Sequence, residues 1–173
     1  MSDLLDLCTP NATWHDGPCA EVRVGDHVIR YVRRGSGSSV VVVGADAQAN
    51  PLWRPLIEIL AANHRLVVPQ PPPADADVGS WLREFIEGTG LTSIVLIAGG
   101  ASAAAALELA TSDDVTVRKL VLLATAEESA ASANEAAATG QPTSGRTLWV
   151  LSQSSAGDSL RRIQQFIAAD VAA

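Results

Sequence analysis

Residues 95–103 read Val-Leu-Ile-Ala-Gly-Gly-Ala-Ser-Ala, and this stretch decides the fold of the chain. An apolar run at 95–98 leads into a tight turn of small residues. Apolar positions at helical spacing follow the turn, at Ala103, Ala106, Leu107 and Ala110. Strands that run directly into helices are typical of parallel α/β sheets. The stretch therefore predicts a buried strand whose carboxyl end turns straight into a helix.

Similar patterns on both sides of this stretch predict the rest of the sheet. Residues 21–24 and 27–32 alternate around Gly25-Asp26, which indicates an antiparallel hairpin at the N-terminus. Further strands are predicted at 40–43, 65–68, 94–97, 119–123 and 147–151, with helices after most of them. The chain is therefore predicted to be an α/β protein, a three-layer α/β/α sandwich with a mostly parallel sheet of about seven strands.

Length, charge and hydropathy limit the classes of function. The chain has 173 residues and a net charge of −7, so we expect one domain at 18–173, preceded by an arm at 1–17. A surface this acidic argues against nucleic acid and anionic membranes as partners. With no long apolar run and no signal-peptide pattern at the N-terminus, we expect a cytoplasmic protein.

The sequence has two cysteines, Cys8 and Cys19, both near the N-terminus. Two cysteines without histidines at ligand spacing do not make a zinc site, so we expect no metal and no cofactor. We interpret the pair as reduced thiols, as in most cytoplasmic proteins. The alternative is a disulfide that pins the arm to the first strand.

The order and spacing of these elements resemble the α/β-hydrolase family. Residues 31–43 are similar to its opening hairpin and third strand, and residues 44–57 to its H-G loop and first helix. Residues 96–110 resemble its nucleophile elbow and the helix after it, and 119–123 the following strand. The resemblance covers about residues 20–125. It implies a truncated α/β-hydrolase fold in which residues 125–145 are the remnant of the cap region.

The G-x-S-x-G motif of the family's elbow has no serine here. The resemblance aligns Gly100 with the nucleophile, and glycine has no side chain that could attack a substrate. Ala98 and Ser102 stand where the motif has its two flanking glycines. Ser102 is a substitute nucleophile only if a base lies beside it. We expect it instead in the first helical turn, capping or hydrogen-bonding the backbone.

The general base and the acid that the resemblance calls for are also missing. The family's histidine lies near the C-terminus, whereas the histidines here are His15, His27 and His64. We expect His64 at the edge of the sheet opposite the elbow. Ser155 stands where the acid is expected, and we assign the nearby Asp158 to the N-terminal cap of the last helix.

The H-G loop that contributes to the oxyanion hole is altered as well. Gly44 and Ala45 correspond to that H-G pair and are followed by Asp46. A carboxylate pointing inward there would oppose an oxyanion. We therefore expect no catalytic residues; if there are any, the candidates are Asp46 and Ser102.

The leading functional hypothesis is a non-catalytic hydrolase-like protein, a pseudoenzyme that binds a partner protein or a small ligand. Small residues at the strand ends predict a crevice, where α/β sheets bind ligands and where the helix N-terminus offers N–H donors to an anion. Its expected lining is Gly44, Ala45, Asp46, Gly99, Gly100, Ala101 and Ser102. The same small residues are equally compatible with tight packing alone.

Two other hypotheses remain open. The crevice could serve an enzyme of non-hydrolase mechanism, a lyase, cyclase or isomerase, with Asp46 as acid or base; residual hydrolase activity would run through Ser102. A nucleotide-binding domain is the other alternative. The full G-x-G-x-x-G is absent, however, and Lys119 stands where an acidic ribose partner would be.

The last predicted strand, 147–151, lies at the edge of the predicted sheet. Exposed edges invite pairing with another chain. We therefore expect a homo-oligomer formed through this strand or the closing helix.

Overall fold

A computed structural model describes residues 19–44, 53–112, 117–124, 147–151 and 156–169. The strands are β1 (Cys19–Val24), β2 (His27–Arg34), β3 (Ser39–Val43), β4 (Arg65–Pro69), β5 (Ile94–Gly99), β6 (Val117–Ala124) and β7 (Thr147–Leu151). The helices are α1 (Trp53–Asn63), α2 (Val78–Thr89), α3 (Ser102–Thr111) and α4 (Ala156–Ala168). The predicted arm at 1–17 and the predicted cap remnant at 125–145 lie outside these ranges, as do Ala45 and Asp46.

The described strands form one sheet of seven in the order β1-β2-β4-β3-β5-β6-β7. β1 and β2 form the predicted antiparallel hairpin, and β2 also pairs antiparallel with β4. From β4 through β3, β5 and β6 to β7, every neighbouring pair is parallel. The mostly parallel seven-stranded sheet predicted from the sequence is confirmed.

Helices cover both faces of this sheet, which gives the three predicted layers. In β3, Val41 and Val43 pack on the face covered by α2 and α3, whereas Val40 and Val42 pack on the face covered by α1 and α4. All four valines are buried. Because successive side chains of a strand point to opposite faces, a continuous run of valines is what a strand buried on both faces requires.

The path of the chain changes sides between β3 and β5, the two neighbouring strands at the centre of the sheet. After β3 the next helix is α1 on one face, whereas after β5 it is α3 on the other. Such a change leaves a crevice at the carboxyl ends of the two strands, where open α/β sheets bind their ligands. The fold therefore positions the candidate site between Gly44 and Gly100.

Local signals define the ends of α2. The Asp77 carboxylate accepts a hydrogen bond from the Ser80 N–H at 2.8 Å, and Gly90 ends the helix in the left-handed conformation at φ +64°. Gly88 lies within the last turn of this helix. A Cβ there would lie 3.0 Å from Val24 Cγ2, so the glycine allows α2 to pack closely on β1.

The last helix begins two residues earlier than its predicted cap. α4 begins at Ala156, so Asp158 lies within its first turn and not at the cap. Its carboxylate lies 3.4 Å from the Arg161 guanidinium, one turn along an exposed face. Both cap and first-turn positions favour an acidic residue, which is why the sequence did not separate them.

A buried lysine connects α4 to the sheet. Lys119 on β6 is the single lysine of the sequence, and only 6% of its surface is exposed. Its ammonium donates to the carbonyls of Phe166 and Ile167 and lies 4.9 Å from the centre of the Phe166 ring. Carbonyls at a helix C-terminus carry partial negative charge, so the cation satisfies them and stabilises this end of α4.

The cysteine interpretation needs correction. Cys19 is disulfide-bonded, not a free thiol. The other cysteine in the sequence is Cys8, which lies outside the described residues. Sequence separation does not reveal whether two Cα atoms come within disulfide distance, so the sequence could not decide between the two states.

No helix in the described part of the chain is long and apolar enough to cross a membrane.

Candidate functional site

The elbow-like turn after β5 keeps the left-handed backbone conformation of a nucleophile elbow. Gly100 follows the last residue of the strand and has φ +56°, in the left-handed region. Its carbonyl accepts a hydrogen bond from the Ala103 N–H at 3.0 Å, so the turn leads directly into α3. Glycine adopts this conformation without the steric cost that other residues incur. The geometry of the elbow is therefore present without its nucleophile.

Two glycines hold the ends of β3 and β5 in close backbone contact. Gly44 has φ +69°, and a Cβ built on it would lie 2.2 Å from the Gly99 carbonyl oxygen. A Cβ on Gly99 would lie 2.7 Å from Cζ2 of Trp53, the first residue of α1. Neither position accepts a larger residue unless the backbone or Trp53 moves. No pattern in the sequence signals the contact between Trp53 and Gly99, because it joins residues of two different elements.

The position of the missing serine, by contrast, faces open space. Gly100 is exposed, and a Cβ built there would meet no heavy atom within 4 Å. A side chain at this position would project into the crevice without a clash. The absence of a nucleophile here is thus a matter of residue type and not of room.

Ser102 lies deeper than the sequence suggested. It is the first residue of α3 and only 6% exposed, and its Oγ lies 3.2 Å from the position of a Gly44 Cβ. The predicted capping role is wrong: Ala101 occupies the cap position, and no side-chain hydrogen bond caps this helix. The Ser102 side chain therefore lies against the end of β3.

The structure therefore brings together five of the seven predicted crevice residues. They are Gly44, Gly99, Gly100, Ala101 and Ser102. The other two, Ala45 and Asp46, lie outside the described residues. Among the residues that the structure does describe, no group of three His, Cys, Asp or Glu side chains could hold a metal ion.

The described histidines lie away from the elbow. His27 begins β2 in the hairpin, and His64 directly precedes β4, at the amino ends of the parallel strands. The elbow is at the carboxyl end of β5, so the prediction that His64 lies at the opposite edge is confirmed. His15 is outside the described residues.

His64 takes part in a local contact at that opposite edge. Its Nδ1 lies 2.9 Å from the Ser38 hydroxyl oxygen. Burial lowers the pKa of the His64 imidazole, and the positive charge of Arg118 lowers it further. The ring therefore favours its neutral form in the folded chain.

Solved structures share this fold at low sequence identity. An Acinetobacter baumannii protein assigned as a lipase has 21% identity and a TM-score of 0.50, over 64% of this chain and 42% of that protein. A membrane phospholipase A described as a bacterial virulence factor has 20% identity and a TM-score of 0.53, over 64% and 40%. A serine hydrolase involved in carbazole degradation has 22% identity and a TM-score of 0.50, over 61% and 47%.

These neighbours are α/β-hydrolase fold enzymes, and the likeness shows that this chain has the α/β-hydrolase fold. No protein-family model and no curated protein matches the sequence. The part of this chain that matches spans less than half the length of each of the three solved structures.

The two exposed glycines of the crevice should differ in their tolerance of a methyl group. We expect Gly100→Ala to lower the free energy of unfolding by about 1–2 kcal/mol, the cost of a left-handed non-glycine residue. Gly44→Ala should lower the free energy of unfolding by about 1–3 kcal/mol more than Gly100→Ala does, because the new Cβ meets the Gly99 carbonyl. Urea denaturation measures both; equal losses would contradict the close contact between the ends of β3 and β5.

The lowered pKa of His64 predicts a pH dependence of stability. Below about pH 6.5 the unfolded chain takes up a proton at this ring more readily than the folded chain, so stability falls as the pH falls. We expect the free energy of unfolding of His64→Gln, measured by urea denaturation between about pH 7.5 and 5.5, to fall less steeply with decreasing pH than that of the wild type. His27→Gln, which changes the same residue type at an exposed position, is the control. An unchanged slope in His64→Gln would contradict the prediction.

Proposed function

We propose that this chain is a non-catalytic protein of α/β-hydrolase fold, a pseudoenzyme that binds a partner protein or a small ligand at the crevice between β3 and β5. The observation that carries the proposal is Gly100. It stands at the nucleophile position, adopts the elbow conformation and faces open space. A fold that keeps this conformation without the reacting group retains the shape of a binding site and lacks the means of covalent catalysis.

The distribution of histidines supports the same conclusion. A serine nucleophile needs an adjacent base to remove its proton. The sequence has no histidine after His64, and His64 lies at the opposite edge of the sheet from Gly100. Lipase, phospholipase and serine hydrolase are names of the solved neighbours; among the described residues of this chain, neither His27 nor His64 lies beside Gly100.

The architecture supports the proposal that binding takes place at this crevice. Open α/β sheets bind their ligands at the carboxyl ends of two neighbouring strands whose following helices lie on opposite faces of the sheet, as they do after β3 and β5. Gly44, Gly100 and Ala101 are exposed at this point and leave the backbone accessible. A ligand or a partner loop could therefore approach the main chain directly.

Two catalytic alternatives to this proposal each depend on one residue. A lyase, cyclase or isomerase would use Asp46, which the sequence places two residues after Gly44. Residual hydrolase activity would use Ser102, but this serine is buried within the first turn of α3 and faces the end of β3. That position argues against attack on a substrate at the mouth of the crevice.

We also propose that the chain forms a homo-oligomer through the edge strand β7 or the closing helix α4. Among the described strands β7 stands last in the sheet and pairs with β6 alone. The opposite edge strand, β1, carries Glu21 and Arg23, and charges of this kind discourage edge pairing. Residues 147–151 carry none.

A cytoplasmic location was predicted from the sequence and stays a prediction. The disulfide at Cys19 weighs against it, because cytoplasmic thiols are kept reduced.

The non-catalytic proposal is tested with a fluorophosphonate probe, read by intact-protein mass spectrometry. We expect no adduct on the wild type under conditions that fully label an active serine hydrolase. Gly100→Ser should label slowly, because it restores the hydroxyl in open space but brings no base. Rapid labelling of the wild type that disappears in Ser102→Ala would overturn the proposal.

Light scattering tests the oligomer proposal. We expect a mass at least twice that of the 18.0 kDa chain at high protein concentration, falling toward the monomer on dilution. A strict monomer at all concentrations would contradict it.

A further inference from the structure

The β1–β2 hairpin has one face in the core and one face turned the other way. Val24 and Ile29 pack in the core under α2 and α3. Because side chains alternate along a strand, and residues paired across two strands share a face, the alternate residues lie on the opposite side. We call this surface the outer face of the hairpin; it includes Cys19, Arg23, Val28, Arg30, Val32 and Arg34.

Val32 on this outer face is buried without being part of the core. Only 4% of its surface is exposed. Among the apolar residues that the structure describes as buried, it alone belongs to neither the core under α2 and α3 nor the core under α1 and α4. Val28, on the same strand and the same face, is 48% exposed. One end of the outer face is therefore covered and the other is open, and the cover at the Val32 end is not supplied by either core.

The disulfide of Cys19 lies at the covered end. Cys19 and Val32 are directly paired across the antiparallel strands, so their side chains share the outer face, with Cβ atoms about 4.5–5.5 Å apart. The other cysteine of the sequence is Cys8, in the arm. Ten residues separate the two cysteines, which is enough chain to turn back onto the hairpin. The bond thus brings the arm to the side of Val32.

The arm next to Cys8 has the composition that this surface needs. Residues 3–8 read Asp-Leu-Leu-Asp-Leu-Cys, three leucines with two carboxylates between and before them. On β2 the guanidinium groups of Arg30 and Arg34 flank Val32 on the same face. Leucine side chains suit the valine, and carboxylates suit a surface on which arginines outnumber acidic residues. Apolar area and charge are therefore complementary between the two.

We propose that residues 3–8 dock on the outer face of the hairpin, held there by a disulfide between Cys8 and Cys19. Their leucines cover Val32, and their carboxylates lie toward Arg30 and Arg34. This surface is at the β1 edge of the sheet and apart from the crevice between β3 and β5. The inference goes beyond the proposed function and does not rest on it.

The thiol–disulfide equilibrium of the full chain measures this docking. Cys19 is exposed, so glutathione can reach the bond. Two glutathione thiols reduce the disulfide to two cysteine thiols and leave as one glutathione disulfide. The ratio of oxidised to reduced chain, read by mass spectrometry after alkylation, gives the effective concentration of one thiol at the other. Docking raises this concentration because contacts beyond the bond hold the two sulfurs together.

Two variants remove the contact from its two sides. Val32→Ala should lower the effective concentration about tenfold, the effect of losing two buried methyl groups. The triple variant Leu4→Ala, Leu5→Ala, Leu7→Ala changes only the arm, and should lower it by about tenfold or more. The two sets combined should lower it by less than the product of the separate losses, because both remove the same contact.

Val28→Ala is the matched control, since it changes the same residue type on the same strand and face at the open end. It should leave the effective concentration unchanged. An equal loss in Val28→Ala and Val32→Ala would overturn the inference, because the effect would then belong to the strand as a whole. An unchanged value in both Val32→Ala and the triple variant would show an arm that is tethered but not docked, which also overturns it.

Non-reducing mass spectrometry identifies the occupant of the face. We expect a linked pair of peptides containing Cys8 and Cys19 from a species of 18.0 kDa. A disulfide-linked species of twice that mass would mean that the arm of a second copy occupies the face, and would overturn docking within one chain. Neither result bears on the crevice, so the fluorophosphonate test of the proposed function is unaffected.

Discussion

The close backbone contact between Gly44 and Gly99 is the constraint on which the rest of the structure depends. These residues end the two central parallel strands, and a single Cβ on Gly44 would lie 2.2 Å from the Gly99 carbonyl oxygen. The contact sets how the two strands end side by side, and Trp53 packs against Gly99 from α1. The crevice, the elbow and the start of α3 all follow from this arrangement.

The elbow conformation persists here with a glycine at the position that the resemblance aligns with the nucleophile. In an enzyme the strain of a left-handed residue is retained because it presents the nucleophile. Glycine at position 100 adopts the same conformation without that strain. The turn therefore costs little conformational energy in this chain. The turn is then maintained because it joins the central strand to a helix that packs on the sheet.

Two of the buried polar side chains have different surroundings. The Lys119 ammonium is engaged in structure, since it donates to the C-terminal carbonyls of α4. Ser102 is equally buried and lies against the end of β3, with its Oγ 3.2 Å from the position of a Gly44 Cβ. A buried ammonium with satisfied partners stabilises the fold, because without them it would lose its hydration uncompensated.

The sequence by itself determined the sheet, because runs such as Val40 to Val43 and the small-residue turn after β5 depend only on local pattern. It also determined that Gly100 cannot attack a substrate. Tertiary structure decided what depends on distances between distant residues: the Cys19 disulfide, the contact of Gly44 with Gly99, and the burial of Ser102. Side-chain periodicity fixes which face a residue occupies, but not which atoms of another element meet it there.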